Sequence, residues 1–95
     1  MAAAVTALVV VPIAASAYTG QQYARQPHVS LQQARAKALK AYPGRITDQE
    51  LEKERGGTEL RYSFDIKHGA TTHKVGIDAR TGRLLENSVE GPNDD

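Results

Sequence analysis

The sequence predicts an α+β fold: one N-terminal helix packed on a small antiparallel sheet of three to four strands. Three observations predict it. A capped apolar stripe with spacings of three and four runs from Leu31 to Tyr42. An apolar row of period two runs from Leu60 to Ile66. Glycine-containing turns then set off further short apolar runs up to Val89. The chain has 95 residues, enough for one small domain. Its 12 basic and 11 acidic side chains leave a net charge of +1, too near neutral for bulk nucleic-acid binding. The absence of cysteine excludes a disulfide framework, a thiolate zinc site and a cysteine-linked lipid anchor. The hydrophobic core alone must hold such a domain, so modest stability is expected.

Residues 1–17 read as a signal peptide. Ala2 to Ala17 has no charged side chain, carries the apolar run Leu8-Val9-Val10-Val11, and ends in the small-x-small pattern Ala15-Ser16-Ala17. Cleavage is expected before Tyr18. The run is too short for a membrane span and Pro12 interrupts it, so no stable transmembrane helix is expected. Export follows, to a secreted, periplasmic or cell-envelope location. Residues 18–28 have no apolar period and several breakers and read as a flexible linker. Residues 29–90 form the expected domain, and residues 91–95 a disordered tail.

Ser30 is an N-cap candidate, with Gln33 three residues later to complete a capping box. Leu31, Ala34, Ala38 and Tyr42 give one narrow apolar stripe, while Gln32, Lys37 and Lys40 stay in water. Pro43-Gly44 ends the helix, with Gly44 expected to take a left-handed turn. Ile46 to Arg55 alternates like an edge strand, although Thr47 with Glu50 could cap a short helix instead. The Gly56-Gly57 turn that follows favours the strand. Leu60, Tyr62, Phe64 and Ile66 then point one way, and Arg61, Ser63, Asp65 and Lys67 the other. After the His68-Gly69 turn, Thr71 to Asp78 places His73, Val75 and Ile77 on one face, and a second turn leads to Leu84-Leu85. The expected core is Leu31, Ala34, Ala38, Tyr42, Leu51, Leu60, Tyr62, Phe64, Ile66, Val75, Ile77 and Leu84.

Three stretches in register resemble a known family. They are Ser30-Leu31-x-x-Ala34-x-x-x-Ala38-Leu39-x-Ala41-x-Pro43-Gly44, then Tyr62-Ser63-Phe64-Asp65-Ile66, then Val75-Gly76-Ile77-Asp78-Ala79-x-Thr81-Gly82-x-Leu84-Leu85. With the strand Glu50 to Glu54 between the first two, they are similar to a PepSY domain over about Val29 to Glu90. PepSY domains are extracytoplasmic modules of metallopeptidase propeptides, membrane proteins and short exported stand-alone proteins, and the chain resembles the last form. The resemblance implies a role as a peptidase regulator or inhibitor without catalytic residues. It also implies that Leu84-Leu85 belongs to the fold.

The residues themselves offer little chemistry. His28, His68 and His73 are the only histidines. His68 and His73 flank one turn, but their strand parity differs and no third ligand accompanies them, so no metal or other cofactor is expected. Glu50, Glu52 and Glu54 line one strand face with Arg61, Lys67 and Lys74 opposite, which predicts a solvated cross-strand charge ladder rather than catalytic carboxylates. No enzyme is expected. Charged residues before Asp48 are all basic (Arg25, Arg35, Lys37, Lys40 and Arg45), while the block after it is mostly acidic. Such a dipolar surface suits a protein partner, and the six ladder residues are the candidate partner surface. The leading expectation is a non-catalytic binding module acting on an exported or membrane peptidase. The alternative is an envelope-associated structural or sensor protein that binds cell-wall polymer, lipid or metal.

Overall fold

A computed structural model describes residues 18–90. Helix α1 (Leu31–Ala41) begins where the sequence supplies a cap. The Ser30 hydroxyl accepts from the Gln33 amide at 3.1 Å, and the Gln33 side chain accepts from the Ser30 amide at 2.9 Å. Two of the otherwise unpaired first-turn donors are thereby satisfied. The helix stops because Pro43 forces Tyr42 into an extended conformation, with φ −147° and ψ 98°. Gly44 does not supply the expected left-handed residue. Its role is close approach: a Cβ there would lie 2.5 Å from the Lys67 carbonyl oxygen.

Four strands follow: β1 (Arg45–Lys53), β2 (Leu60–His68), β3 (Thr71–Asp78) and β4 (Leu84–Val89). Each pairs antiparallel with the next, so the sheet order is β1-β2-β3-β4. The stretch Arg45–Lys53 is therefore a strand, with Leu51 buried opposite Tyr62. Period-two alternation gives the sheet one apolar face, and α1 lies on it over β2 and β3. The core joins Ala34 and Ala38 of α1 to Leu51, Leu60, Tyr62, Phe64, Ile66, Val75, Ile77 and Ala79. Two alanines at the contact let the helix sit close to the sheet. Leu31 and Tyr42 are half-buried at its margin.

Leu84 is not a core residue, being 48% exposed. It lies on the edge strand β4, which α1 touches less than β2 and β3, and the register slips between Gly76 and Ile77. The half-buried neighbour is Leu85, beside Gly57.

Residues 18–28, expected to be a flexible linker, are laid against the sheet. Thr19 runs parallel to β1 and bridges Glu50, and its carbonyl accepts from the Leu51 amide at 2.7 Å. Gly20 makes that approach: its φ is 94°, and any Cβ would overlap the Leu51 carbonyl. Tyr18 meets Tyr62 edge-on at 6.5 Å between centroids. After a 3₁₀ turn at Gln21–Tyr23, the Lys53 ammonium sits 5.5 Å above the Tyr23 ring. The His28 and Val29 amides both donate to the Ala79 carbonyl. The segment lacks periodicity because separate aromatic and backbone contacts hold it, with no continuous apolar face. The expected signal peptide and C-terminal tail lie outside the described residues. Among those described, no helix is long and apolar enough to cross a membrane.

Candidate partner-binding face

α1 covers one face of the sheet; the candidate surface lies on the other. Register brings Glu50 opposite Ser63, and Ser63 opposite Gly76. One row along, Glu52 faces Arg61, which faces Asp78. Asp65 pairs with Lys74. Five of the six candidate residues thus share one patch: Glu50, Glu52, Glu54, Arg61 and Lys74. Lys67 does not join them, lying exposed near the β2–β3 turn between Arg45 and Thr72.

The patch is not the solvated ladder expected from alternation. Arg61 is only 5% exposed and Ser63 only 4%. Arg61 lies across Gly76, whose missing Cβ would sit 3.0 Å from Nη1. It reaches β4, where Nη1 donates to Glu86 Oε1 at 3.1 Å, while Nη2 donates to the Arg55 carbonyl at 2.9 Å. Its Nε–H meets no acceptor among the described residues. Lys74 lies 3.8 Å from Asp65 and 3.9 Å from Glu90. Burial alone would lower its pKa, but Asp65, Glu90, Glu50 and Glu52 outweigh that and raise it.

Glu50 and Glu52 of β1 and Glu54 just beyond its end interact with one another. Glu52 accepts from the Ser63 hydroxyl at 2.7 Å. Burial pushes Glu52 upward, but hydrogen bonds from Ser63, Glu50 and Glu54 and the Lys74 charge leave it lowered. Glu50 and Glu54 are raised, each chiefly by its hydrogen bond with Glu52.

At the end of β3, Asp78 ties the closing turn together. Its carboxylate accepts from the Thr58 amide at 2.7 Å, the Thr58 hydroxyl at 2.9 Å, and the Arg80 and Thr81 amides at 2.8 and 2.9 Å. Burial opposes its charge, but these bonds prevail and hold it well below the ordinary carboxylate range. This binds the β1–β2 loop to the turn after β3. Asp78, Gly76 and Glu86 were not singled out as functional by sequence reasoning. The Asp-Ala-x-Thr-Gly pattern was the one available signal, and it marks a structural knot.

The histidines also differ from expectation. His68 and His73 share a face of the sheet, because the turn pairs His68 with Thr71 and Ile66 with His73. Both contact Tyr42: His73 stacks on it at 3.6 Å with an interplanar angle of 4°, and His68 lies tilted at 6.0 Å. Their Nδ1 atoms are held by Asn87 Oδ1 and the Pro43 carbonyl. Among the described residues, no three His, Asp or Glu side chains converge as a metal site would require. A cleft of about 530 Å³ lies at the β1 edge between Tyr18, Arg35, Ile46 and Gln49. Among the described residues, Asp48 is the one carboxylate lining it.

Among known families, residues 29–87 match the model described as PepSY, the peptidase propeptide and YPEB domain. Comparison with curated proteins and with solved structures finds no significant match.

Proposed function

The chain belongs to the PepSY family, a peptidase-propeptide and regulatory type of domain, and from that premise we propose an extracytoplasmic binding module. It modulates or inhibits an exported or membrane-bound peptidase, and binds it through the uncovered face of the sheet. The observation that carries this reading is the family match, which spans α1 and all of β1 to β3. The distribution of side chains supports it. One sheet face is consumed by the core, while the other presents charged groups on a rigid scaffold.

The test adds purified chain to a panel of secreted metallopeptidases and follows hydrolysis of a reporter peptide. Dose-dependent loss of activity in at least one enzyme is expected. Unchanged rates across the panel would refute peptidase modulation.

A further inference from the structure

The two edges of the sheet are finished differently. β1 is covered by Thr19, whose amide donates to the Gln49 carbonyl and whose carbonyl accepts from Leu51. A bulge also breaks its register between Ile46 and Asp48. β4 has no such cover: among the described residues, no strand or loop pairs with its outward amides and carbonyls. Its own slip lies at the Leu85 end, and Glu86 to Val89 step regularly along Gly76 to His73. Leu84-Leu85-Glu86-Asn87-Ser88-Val89 contains no lysine, arginine or proline, the residues that commonly keep edges apart. Its one charge, Glu86, is paired with Arg61.

A second observation falls on the same strand. Leu84 and Val89 are the exposed large hydrophobic residues among those described, at 48% and 64%. Both lie on the helix side of the sheet, opposite Ile77 and His73. Another strand covers such an edge best, satisfying its backbone and its apolar side chains together. Charge complementarity selects which strand. A two-fold axis normal to the sheet pairs β4 with itself antiparallel and keeps like faces together, so one residue must lie opposite its own copy. With Glu86 there, two carboxylates face each other; with Ser88 there, Glu86 faces Glu90. With Asn87 there, Glu86 faces Ser88, whose hydroxyl donates to Glu86 within one chain at 3.0 Å. Val89 then comes beside Leu84 and Leu85 of the second copy.

We propose that β4 is a self-association edge, at which two copies of the chain pair antiparallel about Asn87 and join their four-stranded sheets into one of eight. Both helices then lie on one side and both outer faces on the other, so the surface assigned to the peptidase stays open. Association does not depend on that assignment. A six-residue edge buries less than the roughly 1,600 Å² of a standard interface, so the dimer is weak, with half the chains paired at about 0.1 mM.

The test follows the full chain from about 10 µM to about 1 mM by sedimentation and by NMR. Mass should rise toward the dimer, with amide shifts confined to β4 and its flanks. Val89→Lys, at an exposed position, should leave the circular dichroism unchanged and weaken association about tenfold or more. Ser88→Lys brings a cation opposite Glu86 of the other copy and should strengthen association, while Ser88→Glu should weaken it, each by about threefold or more. A chain monomeric at about 1 mM, a dimer indifferent to Val89→Lys, or equal effects of Ser88→Lys and Ser88→Glu would each overturn the proposal. A strictly monomeric chain that binds an unrelated extended peptide at β4 would give the edge to a different partner and equally overturn it.

Discussion

Asp78 is the side chain with the densest hydrogen bonding in the fold, accepting four bonds at 2.7–2.9 Å while 1% exposed. Asp78→Asn keeps the shape but removes the charge and turns one acceptor into a donor facing backbone amides. A loss of about 2–4 kcal/mol is expected, read as a lower urea midpoint with an unchanged slope. Gly76 matters for a different reason, since Arg61 occupies the space above it. Gly76→Ala would push the guanidinium from Glu86 and is expected to cost about 1–3 kcal/mol by the same measurement. A variant as stable as wild type would show that Arg61 has another resting place. Neither role is legible from the residue itself. Alternation identifies Arg61 as outward-facing, but only the register with the neighbouring strand reveals what it lies across.

At the scale of elements, α1 and the strand alternation were legible because each signal is local. Ser30 and Gln33 lie three residues apart and close on each other; Tyr62, Phe64 and Ile66 need only their own strand to be placed. Ser30→Ala should cost about 1 kcal/mol and lower the thermal midpoint accordingly. What failed was non-local. The parity of His68 and His73 depends on how tightly the turn closes, and the Gly69-Ala70 turn puts both on the helix side. Leu84 depends on the slip between Gly76 and Ile77 and on its place on the edge strand. The segment at 18–28 is held by single rings and single amides that no periodicity announces. Tyr18→Ala is expected to cost about 1 kcal/mol and to speed amide exchange at Leu51, whose N–H donates to Thr19. Unchanged exchange there would mean that the segment does not hold the β1 edge.

Across the whole molecule, charge is sorted by side, and its pH dependence follows. Glu50 and Glu54 titrate above the ordinary carboxylate value, so within that window the folded chain binds more protons than the unfolded one. Stability must therefore fall as pH rises through it. Glu52 and Asp78 are lowered, so their contribution is present above the unfolded values and lost as pH drops below them. A thermal midpoint that declines both as pH falls below the ordinary carboxylate range and as it rises above it is expected, with the decline on the high-pH side flattened by salt. A monotonic profile would contradict the opposed shifts of Glu50 and Glu54 against Glu52 and Asp78. The proposed function needs one sheet face sealed by α1 and the other open. Adjacent β3 residues report it, because Lys74 lies on the outer face and Val75, fully buried, on the helix side. The chain has no cysteine of its own, so Lys74→Cys and Val75→Cys each introduce a single thiol whose rate of labelling by a soluble reagent can be measured. Labelling at position 74 should be faster by on the order of a hundredfold or more, with position 75 reacting only through unfolding. Equal rates at the two positions would show that the faces are not distinguished, and the account would fail.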